Sequence, residues 1–228
     1  PRGRGACRDV TPLDQEPEPS TQEPLLAGGI GRGDVAPSSS GRYLLETMSS
    51  GGGTRREDAG RLRRTVEWAL SQSKEQDELV RMLRRLAAIS APDSEDFRFA
   101  HRHLAELLVE REPWLAAISA RQVIAQTPDD DGAWAVLGLA YTVLGHFRAA
   151  VSCYRRAAVR APGNPWYAHN LGHLLDVTLD RPHEAVRLLE RAHKLEPKNS
   201  EIATSYAHTL GRVGRPAEGR VLLRRFMR

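Results

Sequence analysis

The chain has 228 residues, 40% of them hydrophobic and 27% charged, with a formal net charge of +4. That length leaves room for one domain or two around a packed core, and no apolar run approaches the roughly 18 residues that a bilayer-spanning helix needs. Only Lys74, Lys194 and Lys198 are lysines; the many arginines alternate with Asp and Glu along most segments, an order that argues against a nucleic-acid surface.

Residues 1–57 hold 10 of the 19 glycines, 6 of the 14 prolines and a single aromatic, Tyr43. So little apolar surface does not offset the entropy of ordering, and a disordered tail is expected there. Met48 opens Met-Ser-Ser-Gly-Gly-Gly and reads as a start, with residues 1–47 an upstream extension. Two cysteines are too few for a disulfide framework; Cys153 falls inside an apolar helical stripe and reads as a buried thiol. No charged-then-apolar leader opens the chain, so the expected compartment is the cytoplasm.

From Asp58 to Ser71, Leu62, Val66, Ala69 and Leu70 share one helical face, with Asp58 placed to cap the first turn. A second amphipathic run, Glu75 to Ala91, carries Leu79, Met82, Leu83 and Leu86 and stops at Pro92. Residues 58–93 thus read as a helical hairpin or degenerate repeat. Residues 94–130 follow with Leu104, Ala105 and Leu108 in one helix and Ala116, Ala120 and Val123 in the next, which Pro113 can open because the first helical turn has no use for its amide. Asp129, Asp130 and Asp131 precede a further helix and read as caps and partners of its dipole rather than a metal site.

Asp131 to Asn164 then sets Trp134, Leu137, Gly138 and Tyr141 on one helix and Ala150 and Tyr154 on the next, closed by Pro162. The spacing of three and four makes two stripes, and the small Gly138 and Ala150 fit where two antiparallel helices cross closely. A second copy, residues 165–199, carries Leu171, Gly172, Ala185 and Pro197, with one extra residue between Val177 and Arg181. The last, residues 200–228, keeps Tyr206, Leu210 and Gly214 but has Gly219 where the pattern has Ala.

These positions fit the 34-residue pattern Trp-x2-Leu-Gly-x2-Tyr, Ala-x3-Phe, Pro, and the region resembles the tetratricopeptide repeat (TPR) family. The resemblance implies an all-α, right-handed superhelix of antiparallel helix pairs, spanning residues 94–228, whose members act as non-catalytic adaptors for protein or peptide partners. One hairpin cannot bury its own apolar face, so neighbours must stack.

In proteins that resemble this one, the second, fifth, ninth and twelfth repeat positions face a concave groove. Carried over, these are Trp166, His169, His173 and Asp176, then Glu201, Thr204 and His208, with Gly132, Ala135, Leu139 and Thr142 before them. Trp166 is the expected anchor. Asn170 matches one place of the clamp that holds chaperone C-terminal tails, but Ala135, Leu139, Glu201 and Ser205 replace its other residues, so that partner is not expected. Asp176 and Glu201 suit a basic or mixed peptide better than an acidic one. Two readings remain beside the adaptor: a chaperone for a secreted or assembly client, and a metal- or pH-responsive binder in which His169, His173 and His208 are the candidate ligands, although no His-Glu-x-x-His signature is present. No phosphate-binding Gly-rich loop or Gly-x-Ser-x-Gly elbow occurs, so neither catalysis nor a cofactor is expected, and the oligomeric state is open.

Overall fold

A computed structural model describes residues 51–72 and 74–226, with side chains from residue 58 onward. The expected tail and the Met48 start lie outside the described residues, apart from the end of the tail at residues 51–57. Among the described residues are ten α-helices and one π-helical turn. They are α1 (Gly51–Ser71), α2 (Gln76–Ile89), α3 (Glu95–Leu108), α4 (Pro113–Gln126), α5 (Asp131–Val143), α6 (Phe147–Arg160), α7 (Pro165–His173, continued by the π turn Leu174–Thr178), α8 (Pro182–Leu195), α9 (Ser200–Arg212) and α10 (Pro216–Leu223). No described helix is long and apolar enough to cross a membrane. The helix assigned to Asp58–Ser71 begins at Gly51, so Asp58 is an exposed residue within it rather than its cap.

The first helix of each later hairpin starts on a side-chain cap. Ser94 Oγ accepts from Phe97 N, Asp130 Oδ1 from Ala133 N at 2.8 Å, Asn164 Oδ1 from Trp166 N, and Asn199 Oδ1 from Glu201 N and Ile202 N. Each satisfies amides that the helix cannot pair itself, worth about 1 kcal/mol. The second helices α4, α8 and α10 instead begin on a proline, at Pro113, Pro182 and Pro216. The three aspartates divide as caps and dipole partners should: Asp130 caps α5, Asp131 accepts from Tyr167 Oη at 2.7 Å, and Asp129 pairs with Arg160 at 3.4 Å.

The last three hairpins each close on a glycine. A Cβ at Gly138 would stand 3.0 Å from the Tyr154 ring, one at Gly172 would stand 2.8 Å from Leu189 Cγ, and one at Gly219 would stand 2.8 Å from the Ala207 carbonyl oxygen. Gly219 therefore departs from the pattern alanine because α10 lies closer to α9 than a methyl group allows. Tyr154, Leu83, Leu86, Leu175, Leu189, Ile202 and Leu210 are fully buried, and Cys153 is buried as expected, its thiol pushed up to about 11 by burial. Trp134 is only half-buried. Its indole donates to the Pro128 carbonyl at 2.8 Å, and the guanidinium of Arg156 lies 4.6 Å above the ring.

The extra residue of the third repeat has a definite place. Helices α5 and α9 end in left-handed glycines, Gly145 (φ 77°) and Gly214 (φ 81°), whereas α7 widens into the π turn and ends in Asp180 at φ 54°. One added residue is what a single π turn absorbs.

First helices approach one another along the stack (α1 with α3, α3 with α5, α7 with α9), while no pair of second helices does so to a comparable degree. The first helices accordingly form the inner side of the curve and the second helices the outer side.

Candidate functional site

Six of the eight residues expected to face the groove remain on the surface of α7 and α9. Trp166, His173, Glu201, Thr204 and His208 are exposed and Asn170 is half-buried. Between the two helices lies an open recess of about 430 Å³ lined by His169, Asn170, His173, Ser200, Glu201, Thr204 and Ser205. The side-chain stripe of α7 that borders it is aromatic: Trp166 meets His169 edge-on with centroids 5.6 Å apart, and His169 stacks on His173 at 6.0 Å.

His169 is a correction to the expected groove. It is 4% exposed, a wall of the recess rather than a free contact. Its Nδ1 lies 3.2 Å from Asn170 Oδ1 and its Nε2 lies 3.0 Å from Ser205 Oγ, so a neutral ring donates at one nitrogen and accepts at the other. Burial holds His169 below the ordinary imidazole value, against opposing pulls from Asn170 and Glu201. A neutral, doubly bonded imidazole stiffens the seam between α7 and α9.

Asp176 is the larger correction. The repeat pattern assigns it to the groove, facing a basic partner, whereas it is 1% exposed. The π turn carries it into the interface with α9, where its carboxylate accepts from His208 Nδ1 at 2.9 Å, Thr209 Oγ1 at 2.7 Å and Arg212 Nη1 at 2.8 Å. Arg212 also pairs with Asp180. This carboxylate is fully occupied inside the chain, so Glu201 is the acid that remains at the recess.

The same geometry dismantles the zinc constellation. Among the described residues no three His, Cys, Asp or Glu side chains converge as a metal site. Both ring nitrogens of His169 are engaged, and one nitrogen of His208 is bonded to Asp176.

Two features were not anticipated from the sequence. Ser200 lines the recess, and Ser205, read only as a replaced clamp position, is bonded to His169 across it. Its place one residue after Thr204 in α9 gives no signal that its hydroxyl turns toward α7.

The tetratricopeptide repeat family profile matches residues 133–165. Within it, Gly138 packs against Tyr154. Residues 133–165 match a tetratricopeptide repeat, and the helix pairs on either side share its antiparallel architecture. No curated protein matches the full sequence. Among solved structures, residues 41 to the end of MamA from Desulfovibrio magneticus RS-1 superpose with a TM-score of 0.65 at 15% identity, over 74% of this chain and 93% of that one. MamA of strain MSR-1 gives 0.58 at 23% identity over 73% and 93%, and TTC0263, a thermophilic TPR protein of Thermus thermophilus, gives 0.55 at 20% identity over 73% and 89%. At these identities the likeness carries the fold and leaves the partner to be read from this chain's own TPR surface.

Proposed function

We propose that this TPR stack is a non-catalytic adaptor that holds a segment of a partner protein against the inner face between α7 and α9. The observation that carries the reading is the recess itself: His169 and His173, with Trp166 edge-on beside His169, face Glu201 and Thr204 across about 430 Å³. Interfaces concentrate their energy in aromatic anchors that become fully desolvated, often about 2 kcal/mol or more each. Trp166, 37% exposed in the free chain, has that surface to lose. Glu201 supplies the one carboxylate of the recess, which favours a partner segment with a basic side chain at this point.

The test is affinity capture with the intact chain and with the Trp166→Ala, His173→Ala double variant, followed by quantitation of each prey. Loss of a specific set of preys from the double variant, with unchanged helicity, supports the reading. The same preys at the same recovery on both baits would place the partner elsewhere.

A further inference from the structure

We propose that the outer face formed by α6, α8 and α10 is a second, separate binding surface, which takes the phosphate backbone of a nucleic-acid duplex. Along the sequence acids and arginines alternate, but the fold sorts them by face. Helix α6 contains no Asp or Glu at all. On α8 and α10 the acids Glu184, Glu190 and Glu218 are already paired, with Arg181, Lys194 and Arg215. That leaves Arg148, Arg155, Arg187, Arg220 and Arg224 exposed with no carboxylate in salt-bridge reach among the described residues.

The inner helices beside them offer no free guanidinium. Helices α5, α7 with its π turn, and α9 contain a single arginine, Arg212, which is held by Asp176 and Asp180, while Glu201 stays exposed. A polyanion is therefore drawn to the outer side and turned away from the recess.

The kind of polyanion follows from what the outer face lacks. Its exposed apolar side chains are Val159, Leu195 and Val221; no aromatic ring on α6, α8 or α10 is among the exposed large hydrophobics. Stacking platforms for unpaired bases are absent from it, as are the aromatic anchors that centre protein interfaces and mark the headgroup level of membranes. What it offers is guanidinium forks, whose geometry matches phosphate oxygens, repeated on three successive outer helices. Such contacts position a duplex without reading its sequence.

The experiment is fluorescence anisotropy of the intact protein with a labelled mixed-sequence DNA duplex of about 20 base pairs at near-physiological salt of about 0.15 M. Parallel arms use the matching single strand, a poly-glutamate peptide, and vesicles of phosphatidylcholine with phosphatidylglycerol. The duplex is expected to bind more tightly than the other three. Four phosphate contacts give a log-log salt slope near about −3.6. The Arg187→Glu, Arg224→Glu variant should lose at least about tenfold in affinity and flatten that slope by about two phosphate contacts. Trp166→Ala, which alters only the inner face, should bind the duplex as the parent does. Should the charge-reversed variant lose helicity, Arg187→Gln, Arg224→Gln serves in its place. Absence of duplex binding, equal binding by the variant, or tighter binding to the single strand, the acidic peptide or the vesicles overturns the proposal.

Discussion

Asp176 and Arg212 sit on neighbouring inner helices and meet at 2.8 Å, Nη1 to Oδ1, with the carboxylate almost wholly removed from water. His208 and Thr209 fill its remaining acceptor positions. Removing one partner of a buried charged cluster strands the others. Asp176→Ala is therefore expected to lower unfolding stability by about 3 kcal/mol, seen as an earlier urea midpoint with an unchanged slope. Asp176 acting instead as a free groove ligand would leave the midpoint where it is.

The crossing of α9 and α10 gives a second expectation. Alanine normally gains about 1 kcal/mol over glycine inside a helix, whereas overpacking costs about 1–3 kcal/mol. At Gly219 the obstacle is the Ala207 backbone oxygen, 2.8 Å from the new methyl group, which cannot rotate away. Gly219→Ala should thus destabilise despite its better helix propensity, while Gly211→Ala, with nothing within 4 Å, should stabilise. Thermal melts of the two variants moving in the same direction would contradict this account of the crossing.

Asp180 offers a test of the π turn. Its φ of 54° is the left-handed region, which costs a residue with a Cβ about 1 kcal/mol, and its exposed pair with Arg212 returns about 0–1 kcal/mol. Asp180→Gly should leave stability within about 0.5 kcal/mol of the parent, since the two changes offset. Asp180→Val keeps neither the ion pair nor a tolerable φ and should cost more, about 1–2 kcal/mol in the same assay.

One half-buried and one buried histidine set an acid limit. Burial holds His101 and His169 below their ordinary value of 6.5, so both take up protons on unfolding that the folded chain refuses. The unfolded state binds more protons, so stability rises with pH. It is fully present above about 6.5 and is lost as the pH falls through about 6.5 toward the folded values. The urea midpoint at about pH 5 should lie below that at about pH 7.5, and His169→Gln should narrow the gap. Equal midpoints at the two pH values in the parent would refute the assignment.

Much of this molecule is written locally. The Leu137–Gly138 and Leu171–Gly172 pairs, the cap at Asp130 and the stops at Pro162 and Pro197 act within one turn or one hairpin, so period and residue type suffice to read them. The exposure of Trp166, His173, Glu201, Thr204 and His208 agrees with the repeat positions that the family resemblance carries over to them. Asp176 was not legible. Each residue turns a helix by about 100°, so the single added residue re-aims the end of α7, and only the packed α9 decides that the carboxylate ends among Thr209, His208 and Arg212. The burial of His169 and the separation of acids from arginines belong to the same category: they depend on which helix lies inside the curve, a property of the stacked hairpins and not of any one segment.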